Sequence, residues 1–64
     1  MRVITLKRPL RTQAAVGSII IPADSEVTLT EERETAAHNM NCRVVFYKNE
    51  RHLIYDPELA RAQS

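Results

Sequence analysis

The chain has 64 residues, a net charge of +1 and one cysteine. A single domain of this size buries only about 60% of the surface its unfolded form exposes, so its stability is expected to be marginal. Cys42 is alone, which excludes an intramolecular disulfide and fits a reducing, cytoplasmic setting. Lys7, Arg8, Pro9 and Arg11 interrupt the amino-terminal stretch MRVITLKRPLRT, which therefore lacks the apolar run of a secretory leader. No run is long enough to span a bilayer, and no membrane is expected as a partner.

The small net charge conceals a division. Residues 1–23 hold Arg2, Lys7, Arg8 and Arg11 and no acid, whereas residues 24–34 hold Asp24, Glu26, Glu31, Glu32 and Glu34 against Arg33 alone. Local fields of this kind attract partners more than the total does.

Taken in order, RVITL at Arg2–Leu6 is β-branched and predicts a strand that Pro9 limits, followed by a loop from Thr12 to Ala15. Ile19, Ile20 and Ile21 favour extended backbone; because neighbours in a strand face opposite sides, the run predicts burial on both faces or a bend around a core. Pro22 then ends the strand and is expected at the second position of a β-turn, with Asp24 tolerating left-handed backbone. Glu26–Thr30 resumes as a strand with Val27 and Leu29 on one face. For TEERETAAHNMN two readings stand: a short helix over residues 31–38, capped by Thr30 with acids in its first turn, or a polar extension of the preceding strand.

The strongest local signal is CRVVFYKNERHLIYDPEL. Cys42–Tyr47 and His52–Tyr55 predict a hairpin around the polar segment Lys48–Arg51. Asp56 as N-cap and Pro57 at the first helical position predict a helical turn over residues 57–62. The strings IIIPADSEVTL, CRVVFYKNERHLIY and DPEL together resemble small SH3-like β-barrels, in which a proline-containing turn precedes a strand and the last hairpin leads into a short helical turn. Asp24 stands where such turns often carry glycine. The resemblance implies an all-β fold, a small five-stranded SH3-like barrel with a short C-terminal helical turn, and a tendency to bind protein or nucleic acid. It carries over no residue-level function.

His38, Cys42 and His52 form a conceivable three-ligand set, but their spacing matches no zinc signature, and a buried strand cysteine with two surface histidines is the plainer reading. A cysteine nucleophile would need a base and an oxyanion site in a water-excluding cleft, for which a barrel of this size has little room. The sole glycine, Gly17, rules out a glycine-rich phosphate loop. No catalytic residue, metal or cofactor is therefore assigned, no small-molecule substrate is evident, and the chain is not expected to be an enzyme.

By strand parity Val44 shares a face with Phe46, the better candidate for the core. Arg43, Val45 and Tyr47 share the other face and, with Tyr55, form the candidate protein interface. Arg2, Lys7, Arg8 and Arg11 are the candidate nucleic-acid contacts, although Phe46, Tyr47 and Tyr55 all lie in the late hairpin, away from them. The expected function is a non-enzymatic interaction module that binds another protein, self-associates or serves as a subunit of a larger assembly. The alternative is a nucleic-acid-binding regulator.

Overall fold

A computed structural model of the chain describes the backbone of residues 1–64 and every side chain except that of Ala37. Six strands and one helix follow one another as β1 (Arg2–Thr5), β2 (Leu10–Arg11), β3 (Ile20–Ile21), β4 (Glu26–Thr35), β5 (Asn41–Tyr47), β6 (Glu50–Tyr55) and α1 (Asp56–Gln63). The fold is mainly β, as expected; its strands number six rather than five and do not close into a barrel. A four-stranded sheet in the order β1-β4-β5-β6 lies against a two-stranded ribbon of β2 and β3, and every strand pair is antiparallel.

The core lies between the inner face of the sheet, the ribbon and the helix. It is built from Leu6, Leu10, Ile21, Val27, Leu29, Val45, Ile54, Leu59 and Ala62, with Ile4 and Tyr47 packed against it. Backbone hydrogen bonds join the parts. The N–H groups of Lys7 and Arg8 donate to the carbonyl of Ala62 at 2.7 and 3.2 Å, which occupies a carbonyl left over at the helix end, and Gln13 N–H donates to Leu53 on the edge of β6 at 2.8 Å.

The isoleucine run behaves differently from expectation. Ile21 is fully buried, whereas Ile20 and Ile19 are exposed. The ribbon strands are two residues long, and only one of their faces meets the core, so alternation leaves Ile20 outside. The turn after them forms as residue type requires: Ser25 N–H donates to Pro22 O, and Asp24 takes φ 69°. A positive φ at the third position is the demand of a type II turn, which Asp can meet at some cost. Pro22 occupies the first position of this turn rather than the expected second.

Residues 31–38 contain no α-helix. β4 continues to Thr35, and only Ala37–Asn39 form a 3₁₀ turn, in which His38 and Asn39 both have positive φ. The polar strand extension is the reading that holds, and its reason lies across the sheet. Glu34 sits opposite Cys42 on β5, Arg51 of β6 sits opposite Phe46, and all four side chains share the outer face. Arg51 reaches over β5 to Glu34 at 3.1 Å and Glu32 at 3.2 Å, so the pairs roof Val44, which is 1% exposed. A helix could not present these acids to β6. At the same end Arg33 pairs with Asp56 at 2.6 Å.

The β5–β6 hairpin forms with a tighter loop than the four residues expected. Tyr47 pairs with Glu50, so the loop is Lys48–Asn49, both with positive φ, as a two-residue type I′ turn requires. The helix starts one residue early. Tyr55 rather than Asp56 is its N-cap and makes no side-chain cap bond, since capping takes a short polar side chain; the Asp56 carboxylate pairs with Arg33 instead. Pro57 and Glu58 still favour the first turn, where proline lacks no needed N–H and acids meet the helix dipole.

Candidate interaction surfaces

The predicted protein interface does not assemble on one surface. Val45 is fully buried and belongs to the core, whereas Phe46, expected inside, is 36% exposed. The parity was right and the choice of face was not: the ribbon and helix cover the side carrying Val45, leaving Phe46 on the outer face. Tyr47 is half-buried against the core, with the Lys48 ammonium 5.4 Å from its ring centroid and the His52 ring 6.5 Å away. Tyr55 sits opposite Cys42 and so on the outer face, away from Arg43, Val45 and Tyr47.

Arg43 is half-buried. Its Nε is shut from solvent with no hydrogen-bond acceptor, and it stands across from Arg33, a like charge. Arg43 and Arg2 line a shallow recess of about 240 Å³, together with Met1, Leu29, Thr30 and Glu31, beside the register shift between Leu29 and Arg33. Arg2 is thus the one predicted nucleic-acid contact that meets a predicted interface residue.

Arg2, Lys7, Arg8 and Arg11 are all exposed, and none makes an ion pair among the described residues. They do not converge. Arg2 and Lys7 lie five residues apart along extended chain, roughly 16 Å, while Arg11 sits on the ribbon beside Ile20. Within the acidic stretch Glu32 and Glu34 are held by Arg51, whereas Asp24, Glu26 and Glu31 make no ion pair among the described residues.

The histidines and the cysteine are separated too. Cys42 is fully buried on the outer side of β5, His52 pairs with Val45 on the inner side, and His38 is exposed at the hairpin turn. Among the described residues no three His, Cys, Asp or Glu side chains come together. Burial, reinforced by the nearby Asp56 carboxylate, pushes the Cys42 thiol up from its ordinary pKa of 9.0 and keeps it protonated near neutrality.

Two exposed apolar groups were missed by the sequence reading. On the outer face Val3, 60% exposed, and Phe46 flank Thr28 in one row across β1, β4 and β5. On the ribbon and its loop Val16, Ile19 and Ile20 are exposed. The signal for the first was the Val-Thr-Phe composition of adjacent strands, but it becomes readable only once the register is known. No family model matches the chain, and neither a curated protein nor a solved structure does so.

Proposed function

We propose that this chain is a non-enzymatic interaction module with an SH3-like arrangement of strands, and that it self-associates through β1 and the adjoining outer face of its sheet. The observation that carries the reading is the Val3–Thr28–Phe46 row beside the free edge of β1. An edge strand presents unpaired N–H and C=O groups, and β1, though only four residues long, contains no proline and a single charge, Arg2. An antiparallel β1 pair about a two-fold axis at Val3 sets Val3 opposite Val3 on the outer face and Arg2 opposite Ile4 of the second copy, so the arginines do not face each other.

Such an interface is smaller than the standard ~800 Å² per partner, so association is weak and concentration-dependent. Light scattering across a concentration series tests it. The expected result is a rising mass-average for the native chain and a monomer for Val3→Lys, with unchanged circular dichroism. A native chain that stays monomeric at the highest concentration removes this reading.

A second reading, nucleic-acid binding, is favoured by one observation: Arg2, Lys7, Arg8 and Arg11 are exposed and make no ion pair among the described residues. It requires duplex or single-strand affinity that falls steeply with salt and weakens in Arg8→Glu with Arg11→Glu. Absence of binding at low salt ends it.

A further inference from the structure

The loop between β2 and β3, together with Ile20, exposes seven consecutive residues, Ala14 to Ile20, and none is charged. Val16 is 90% exposed, Ile20 57% and Ile19 38%. Gly17 adopts φ 82°, and no atom lies within 4 Å of where its Cβ would be, so the loop projects into open space at this point. A surface loop ordinarily carries polar residues; this one carries β-branched and small apolar ones.

The loop is closed at its neck by hydrogen bonds between Thr12 and Ile19. Thr12, the one buried polar residue of the chain among those described, donates its N–H to Ile19 O at 2.9 Å, and its Oγ1 accepts from Ile19 N–H at 2.9 Å. Ser18, the only polar side chain in the exposed run, donates its hydroxyl to Ala14 O at 3.3 Å. The neck and the Ser18 hydroxyl, being paired within the chain, can leave water at low cost.

One cation stands beside this tip and two more lie on the chain that leads into its ribbon. Leu10 and Ile21 are paired and point into the core, so Arg11 and Ile20, also paired, stand together on the outward side. Lys7 and Arg8 lie exposed on the chain entering the ribbon. Asp24, which approaches Leu6 through its backbone, is the nearby acid by connectivity, and it makes no ion pair with these cations.

An uncharged apolar tip with a mainly cationic collar discriminates among partners. A nucleic acid would use the collar but has no aromatic here on which to stack a base, and would leave the tip unused. A protein partner would need a matching pocket. A bilayer accepts an apolar projection of any shape, and anionic headgroups attract the collar. We infer that the Ala14–Ile20 loop is a peripheral membrane anchor: Val16, Ile19 and Ile20 enter the interfacial region of an anionic bilayer while Lys7, Arg8 and Arg11 meet lipid phosphates. No helix is long and apolar enough to cross a membrane, and surface anchoring requires none. The inference is independent of the β1 face and of self-association.

Co-sedimentation of the full chain tests it, with vesicles of phosphatidylcholine alone and of phosphatidylcholine containing about one-third phosphatidylserine. The native chain is expected to sediment with the anionic vesicles at low salt. Binding should fall roughly tenfold or more in Val16→Ser/Ile19→Ser/Ile20→Ser, and similarly in Lys7→Gln/Arg8→Gln/Arg11→Gln. All six side chains are exposed, so both variants should melt like the native chain. An environment-sensitive dye on Val16→Cys, the buried Cys42 being shielded from label, should shift to the blue with the anionic vesicles only. No sedimentation with anionic vesicles overturns the inference. So does binding that survives the serine variant, a dye that reports water throughout, or duplex DNA binding by a chain that ignores vesicles.

Discussion

Two apolar runs in this chain look alike and end differently. In β5, Val44 and Val45 are adjacent and both buried; in β3, Ile20 and Ile21 are adjacent and only the second is buried. The difference lies in what flanks each strand. β5 is central, with β4 and β6 on either side, a core beneath Val45, and the Arg51–Glu34 and Arg51–Glu32 pairs arching over Val44. β3 is one half of a two-residue ribbon with a core on one side only. A run of consecutive apolar residues thus reports burial on both faces only where neighbours exist to cover both.

The comparison breaks first at Ile21. Ile21→Ala should cost about 2–5 kcal/mol by urea denaturation, whereas Ile20→Ala should fall within about 0.5. A domain this small has roughly 3–5 kcal/mol in hand, so the first variant should be largely unfolded. Equal losses at the two positions would mean that Ile20 is covered as well as Ile21.

The next contrast is within β5. Val44→Ala and Val45→Ala should each destabilise by about 1–3 kcal/mol, because both leave a cavity in a closed site. If the ion pairs roof Val44, Glu32→Gln with Glu34→Gln should also speed amide exchange at Val44 and leave Val45 unaffected. Unchanged exchange would mean that other groups keep water from Val44.

The turn that leads out of β3 sharpens the picture at lower cost. Asp24 holds φ 69°, so Asp24→Val should lose about 1–2 kcal/mol, whereas Asp24→Gly should hold or raise the thermal midpoint. A valine variant as stable as the native chain would rule out the left-handed conformation at this position.

The smallest effect is at Cys42, on the outer side of β5. Its folded pKa lies above the ordinary 9.0, so the folded thiol stays neutral at a pH where the unfolded one ionises. The stabilisation is fully present below 9.0 and is lost as pH rises toward the folded value. Stability of the native chain should therefore fall faster above pH 9.0 than that of Cys42→Ala. Parallel curves would place the thiol in water.

Much of the local structure was legible because short-range chemistry dictates it. β-branched runs marked β1, β5 and β6, Pro22 and Asp24 marked a turn, and Pro57 between two acids marked the helix. β2 was missed because Pro9 and two polar neighbours obscure a two-residue strand, and the 31–38 segment stayed open because its glutamates suit a helix start as well as a strand. Phe46 was placed inside and Val45 outside because parity gives two faces without saying which is covered. Of the exposed surfaces, the cationic set could be read directly. The Val3–Phe46 row and the Ala14–Ile20 tip could not, because an apolar residue looks the same in sequence whether or not anything packs on it.

The amino-acid sequence by itself therefore determined the strand-forming segments, the turns that demand positive φ, the helix start and the separation of charge along the chain. These follow from backbone sterics, side-chain branching and composition, which act over a few residues. Tertiary structure decided which face of β5 became core, that Glu32 and Glu34 of β4 would bridge to Arg51 instead of to the basic amino-terminal segment, and that two of three consecutive isoleucines would remain in solvent. Those outcomes depend on which strands lie side by side, and residues as distant as Glu34 and Arg51 meet only after the chain has paired.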